Sequence, residues 1–198
     1  KVSDKIELIE KLINYVDNII IGGAMSNTFI KAKGGNIGNS IYENNKVEVA
    51  KQLIDKSIKN KVKLYLPEDC LASKSINNRS ETVIVNSGKI ENKWINVDLG
   101  PKSIKKFHEI IMESDMIIWN GPLGIYEISK FSKGTNSIAH SISNSTKNGA
   151  YSLVGGGDSI SIINKEKLNQ NISFISTGGG AMLDYIINKD LIAINDIK

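Results

Sequence analysis

The sequence predicts an α/β domain with a mainly parallel sheet of about six strands, in a Rossmann-like three-layer α/β/α arrangement. Three observations carry that prediction. Helical and strand patterns alternate along the whole chain, the order that builds parallel sheets. Short apolar runs such as Ile19-Ile20-Ile21 stop at glycine, as strands buried on both faces do. No repeat, proline-rich linker or low-complexity block divides the 198 residues, so residues 1–198 read as one domain.

The elements follow in order. Ser3 is placed to cap a first helix, whose apolar residues Ile6, Ile9, Leu12, Ile13 and Val16 recur every three or four positions. Ile19 to Ile21 forms a strand ended by Gly22 and Gly23. A second helix is predicted over 46–59, with Val47, Ala50, Leu53, Ile54 and Ile58 on one side. A strand over 62–66 stops at Pro67, and another is predicted over 80–85. The stretch 88–98 shows no decisive period. Pro101, suited to a first helical turn, opens a helix to Ser114 with Ile104, Phe107, Ile110 and Ile111 inward. Further strands are predicted over 116–119, 151–154 and 172–175, and further helices over 135–147, 159–164 and 181–188.

Composition removes several classes of function. A chain of this length buries a core without staples, and its one cysteine, Cys70, excludes a disulfide scaffold or a zinc knuckle. No apolar run approaches the roughly 20 residues that cross a bilayer. The opening residues alternate in charge, unlike a signal peptide, so the expectation is a soluble, cytoplasmic protein without membrane contact. The 25 basic residues outnumber the 21 acidic ones, but Arg79 is the only arginine and the lysines are spread evenly. With aromatics at only 6%, no basic, stacking face for nucleic acid forms. His108 and His140 read as surface residues, Cys70 as a buried structural thiol, and Trp94 and Trp119 as packing.

Four predicted strands run into glycine-rich loops: Ile21-Gly22-Gly23, Trp119-Asn120-Gly121-Pro122-Leu123-Gly124, Val154-Gly155-Gly156-Gly157-Asp158 and Ser176-Thr177-Gly178-Gly179-Gly180. In an open parallel sheet such ends share one edge, where ligands bind. Two of the loops lead directly into helices, so free N–H groups and helix dipoles would favour an anion there. A single glycine triplet is explained as well by a tight turn or a close helix–sheet contact; four on one edge point to phosphate or nucleotide. Gly34-Gly35-Asn36-Ile37-Gly38-Asn39-Ser40 misses the lysine of the P-loop pattern, and no G-x-G-x-x-G turn follows a strand. Asp158 would repel phosphate unless a cation intervenes, which predicts Mg²⁺; a helix N-cap is the plain alternative, and the two are compatible.

Taken together these segments resemble phosphoglycerate kinase. The resemblance rests on Lys1-Val2-Ser3-Asp4-Lys5-Ile6, on Gly22-Gly23-Ala24-Met25 with Thr28 and Phe29, and on Trp119-Asn120-Gly121-Pro122 ending at Glu127. Phe131, Gly134-Thr135, the Gly-Gly-Gly-Asp loop and the Ser-Thr-Gly-Gly-Gly-Ala loop complete it, in order over essentially the whole chain. It implies the C-terminal, nucleotide-binding half of the family, which binds ADP or ATP with Mg²⁺. The chain starts within a family motif, as a fragment or a truncated gene would. The resemblance further implies that 3-phosphoglycerate or 1,3-bisphosphoglycerate is bound by an N-terminal half that this chain lacks. An intact enzyme of the family would be a monomer acting in glycolysis.

Roles carry over by position as implications of that resemblance. Lys1 and Lys5 contact the nucleotide phosphates and the migrating group, and Gly178, Gly179 and Gly180 hold that group in flight. Asn120 lies near the distal phosphates, Pro122 packs on the ribose and adenine side, and Glu127 accepts ribose hydroxyls. Asp158 is the Mg²⁺ ligand with Ser159 beside it, and Gly156 and Gly157 leave room for the phosphate chain. Gly22, Gly23, Ala24, Ile41 and Asn96 border the adenine. The sequence departs from the family where Ala24 follows only two glycines, where Ile41 replaces leucine, and where Asn96-Val97 replaces glycine-leucine. Asp184 replaces a glutamate, and Leu191-Ile192-Ala193 replaces Leu-Pro-Gly. These changes bear on adenine affinity and base selectivity, not on Mg²⁺ or phosphate. The alternatives are a nucleotide-binding module without catalysis, which the upstream gene sequence would reveal, and a nicotinamide-dependent oxidoreductase, which binding of NAD over MgADP would reveal.

Overall fold

The structure, a computed structural model, describes residue 3 and residues 5–188, except for the side chains at 184, 187 and 188. Lys1, the changed side chain at Asp184 and the segment Leu191-Ile192-Ala193 therefore lie outside what is described. The first half of the chain runs α1 (Ile6–Leu12), β1 (Asn18–Ile20), α2 (Gly23–Ala32), β2 (Asn36–Ile37), α3 (Val47–Lys59), β3 (Lys63–Tyr65), β4 (Asp69–Ser73), β5 (Thr82–Asn86), β6 (Lys89–Ile90) and β7 (Ile95–Leu99). The second half runs α4 (Pro101–Met112), β8 (Met116–Asn120), α5 (Lys133–Lys147), β9 (Tyr151–Gly155), α6 (Gly157–Lys165), β10 (Phe174–Ser176) and α7 (Gly179–Asn188).

Seven strands pair in parallel, two of them only in the short β2–β6 pair. β1 pairs with β3, and β8, β9 and β10 form a second parallel group with β9 central. The β1–β3 pair shows why the apolar run at 19–21 is continuous. Ile20 and Tyr65 pack on one apolar cluster, built from Phe107, Ile110, Trp119, Ile138, Ile142, Val154 and their neighbours. Ile19, Ile21, Leu64 and Leu66 face the opposite way, into a cluster with Ile9, Ile13, Phe29, Ala50 and Leu53. Successive strand residues point to opposite faces, so a strand with helices on both sides must be apolar throughout.

Several expectations need correction. Among the described residues there are ten strands rather than about six, because β4, β5 and β7 make a separate antiparallel sheet and β2 pairs with β6. The undecided stretch 88–98 falls on the two-residue β6 and on β7, where Asn96 and Asp98 interrupt the apolar pattern. Asn86 Oδ1 accepts the Gly88 N–H at 3.0 Å, which turns the chain between β5 and β6. The N-cap position of the first helix is Lys5, which makes no side-chain cap, and not Ser3, whose N–H reaches the Glu43 carboxylate at 3.3 Å. Helix α2 was not foreseen. Its buried side is largely polar: Ser26 Oγ donates to Gly23 O at 2.7 Å, Asn27 Nδ2 to Ile41 O at 3.0 Å, and Thr28 Oγ1 accepts Glu43 N–H at 3.1 Å.

Candidate functional site

The ends of β8, β9 and β10 are in register, with Asn120 opposite Gly155 and Gly155 opposite Ser176. Their glycine loops therefore meet. Asn120 Nδ2 donates to Gly155 O at 3.0 Å, and a Cβ built on Gly179 would fall 2.4 Å from Gly156 N. The remaining loop joins through Gly23 N–H, which donates to Leu123 O at 3.2 Å, and through Gly22, where any Cβ would strike the Leu123 side chain. All four glycine-rich corners thus lie in one contiguous rim.

Three helices begin on this rim, α2 at Gly23, α6 at Gly157 and α7 at Gly179, where two were expected. Gly23 and Gly156 have φ of +60° and +92°, conformations that a side chain disfavours, and each sets the chain into its helix. Neither α2 nor α6 has a side-chain cap; in α2 the Gly23 N–H is taken by Leu123 O, and the remaining first-turn N–H groups have no side-chain partner among the described residues. Three rim glycines have no packing cause: nothing lies within 4 Å of a Cβ built on Gly157 or Gly180, and Gly178 meets only Ala181 Cβ at 3.7 Å.

The polar groups divide into those that face the rim and those that hold it. Lys5 Nζ, half-buried, donates to Asn120 Oδ1. Asp158 is exposed in the first turn of α6 and accepts the Tyr126 hydroxyl at 3.0 Å. Partial desolvation, and secondarily that bond, raise the Tyr126 hydroxyl above its ordinary range, so it stays a donor. Glu127, next in the chain, is exposed. Ser159, beside Asp158, is fully buried, and its Oγ accepts Gly121 N–H at 2.8 Å, tying two loops together from behind.

A mostly apolar cavity of about 230 Å³ opens between the rim and the antiparallel sheet. Gly23, Ala24, Ile41, Asn96 and Pro122, all expected at an adenine, line it together with Asn27, Leu123, Gly124 and Ile76. Behind its Gly124 wall lies Asp98, 2% exposed, whose Oδ2 accepts Gly134 N–H at 2.6 Å at the start of α5. Burial pushes this carboxyl up to about 6, against the pull of backbone N–H groups from Gly134, Leu99 and Thr135. Sequence reasoning missed Asn27, Tyr126 and Asp98. Only Asp98 carried a signal, a carboxylate between Val97 and Leu99 in an apolar stretch. Cys70 is wholly buried and its thiol is pushed up to about 12, so it is no nucleophile.

No cluster of three or more histidine, cysteine, aspartate or glutamate side chains able to hold a metal exists among the described residues. A lone, exposed Asp158 fits Mg²⁺ that arrives with its other oxygen ligands already on a phosphate chain. No helix among the described residues is long and apolar enough to cross a membrane.

A parallel α/β sheet whose glycine loops and helix N-termini converge on one edge defines the doubly wound class, in which that edge is the ligand crevice. Within it, the sequence profile described as phosphoglycerate kinase matches residues 1–189, and the chain belongs to that family. It is 44% identical over 198 residues to phosphoglycerate kinase of Porphyromonas gingivalis, covering 100% of this chain and 47% of that protein. It is 45% identical over 198 residues to the enzyme of Helicobacter hepaticus, covering 100% and 48%. The structure of phosphoglycerate kinase from Coxiella burnetii superposes with a TM-score of 0.93 at 37% identity, over 98% of this chain and 49% of that one. The Pyrococcus horikoshii enzyme gives 0.74 at 28% identity, over 98% and 49%. The chain spans about half the length of the relatives it matches.

Proposed function

We propose that this chain is the nucleotide-binding half of a phosphoglycerate kinase and holds ADP or ATP with Mg²⁺ along the glycine rim. The supporting observation is the empty space over Gly157 and Gly180. Glycine in a helix is less stable than alanine by up to about 1 kcal/mol, and no packing there returns it. A polyphosphate lying against the amides needs that room. The base enters the cavity against Ala24, Ile41 and Pro122 with Gly22 and Gly23 at its edge, and Glu127 takes the ribose hydroxyls. The paired enzyme is a cytoplasmic, glycolytic monomer.

In the reaction, the P–O bond of the acyl phosphate of 1,3-bisphosphoglycerate breaks as a new P–O bond forms to a terminal oxygen of ADP. The products are 3-phosphoglycerate and ATP, and the transfer is reversible, in line and without a covalent enzyme intermediate. Phosphoryl transfer places spreading charge on three equatorial oxygens and needs positioning and positive charge more than covalent help. The Gly178, Gly179 and Gly180 amides and the α7 N-terminus supply fixed donors. Lys5, steered by Asn120, supplies a cation, with Lys1 as its companion. Asp158 would hold the Mg²⁺, whose charge would offset that of the phosphate oxygens. The leaving carboxylate is already a weak base, so no side chain acts as a strong one.

The phosphoglycerate is held by the family's other half, so the 198 residues alone bind nucleotide with negligible turnover. Calorimetry and a coupled ATP assay on the purified chain test both parts. MgADP binding without turnover is expected; substantial turnover, or tighter binding of NAD than of MgADP, contradicts the reading.

A further inference from the structure

We propose that Asn96, aligned by Asn27, selects the nucleobase by admitting a 6-aminopurine and rejecting a 6-oxopurine; the inference rests on the nucleotide reading above. The backbone carbonyl of Ile41 can only accept. Asn27 must therefore present its Nδ2 to it, and does so at 3.0 Å. The opposite end of the Asn27 amide, Oδ1, then faces Asn96, which must answer with its own Nδ2, at 2.9 Å. The Asn96 backbone is fixed as well, its N–H donating to Ser40 Oγ at 2.8 Å. A freely rotating asparagine offers either end of its amide; this one is locked by a relay anchored on a main-chain oxygen.

What remains of Asn96 at the cavity wall is Oδ1 and the second hydrogen on Nδ2. Among the described residues, Oδ1 accepts no hydrogen bond, and the residue is half-buried on an otherwise mostly apolar wall. An acceptor beside a donor matches the amino group and ring nitrogen of adenine, the pairing asparagine makes with that base elsewhere. A 6-oxopurine presents a carbonyl oxygen where the amino group would be, and two acceptors then face one another. Base choice is thus carried by two residues 69 positions apart, with Asn27 as the positioning partner.

Titration calorimetry with Mg²⁺, comparing ADP with inosine diphosphate, tests this on the 198-residue chain and on Asn96→Leu and Asn27→Ala. The ratio of affinities is the readout, since damage to the fold lowers both together. The native chain should favour ADP about tenfold or more, and each variant should bring the ratio below about threefold. Equal binding of the two nucleotides by the native chain, or a ratio that survives Asn96→Leu, overturns the selector while leaving nucleotide binding intact. Failure of the native chain to bind either nucleotide overturns the selector and the underlying reading together.

Discussion

Asp158 and Asp98 each stand at the beginning of a helix, and their surroundings are opposite. Asp158 opens α6 on the rim, exposed, with the Tyr126 hydroxyl as its partner and empty space over the neighbouring Gly157. Asp98 is sealed behind the cavity wall, where one oxygen takes Gly134 N–H and the other finds no partner among the described residues. A Cβ on Gly124 or Gly134 would come within 2.3 or 2.4 Å of that second oxygen. Glycine beside the buried carboxylate is demanded by packing; glycine beside the exposed one is not. A carboxylate reached by solvent can take a cation and release it, whereas one enclosed by backbone can only hold a helix in place.

The largest expected effect breaks the packed side of this contrast. Gly134→Ala should lose about 1–3 kcal/mol of stability, the range for overpacking a filled core, visible as a fall in the urea midpoint; an unchanged midpoint would mean that the carboxylate yields easily. The same carboxylate gives a pH signature. Its folded pKa, about 6, exceeds the ordinary 3.8, so the folded state binds the extra proton. Its contribution is fully present below the ordinary value and is lost as pH rises through about 6, a swing on the order of 3 kcal/mol. Asp98→Asn should flatten that part of the stability curve, measured by thermal melts between pH 4 and pH 7.5.

On the exposed side, Asp158→Asn should leave the melting temperature nearly unchanged, because exposed substitutions stay within about 0.5 kcal/mol. It should cut MgADP affinity about tenfold or more while metal-free ADP binds no worse, since a charge that repels phosphate has been removed. Equal losses with and without metal would assign Asp158 to the plain role of helix start. The smallest effect on the fold is expected for Gly180→Ala, with stability unchanged or slightly raised by better helix propensity and nucleotide affinity reduced by the added methyl.

The same contrast explains what the sequence let through. Apolar runs closed by glycine announced β1, β8 and β9, and a helical period announced α3, α4 and α5, because these elements bury hydrocarbon. Helix α2 was hidden because Ser26, Asn27 and Thr28 are buried through hydrogen bonds to the following loop, and polar burial has no period. Of the antiparallel sheet only the outer strand was legible, as the stretch 80–85, although its exposed Val83 and Ile84 blur any alternation. At the site, the glycine corners were legible as residue types. The pairing of Asn27 with Asn96 was not, since only the folded chain brings them together. The tie from Ser159 Oγ to Gly121 N–H was likewise invisible, because the hydroxyl's partner lies 38 positions away.

The central claim is that four separated corners act as one phosphate-binding rim, and backbone amide shifts by NMR on adding MgADP test it most directly. The account predicts concerted changes at 22–24, 120–124, 156–159 and 178–180, with the β4–β5 hairpin at 74–81 little affected. Changes confined to one corner, or centred on the antiparallel sheet away from the cavity, would contradict it.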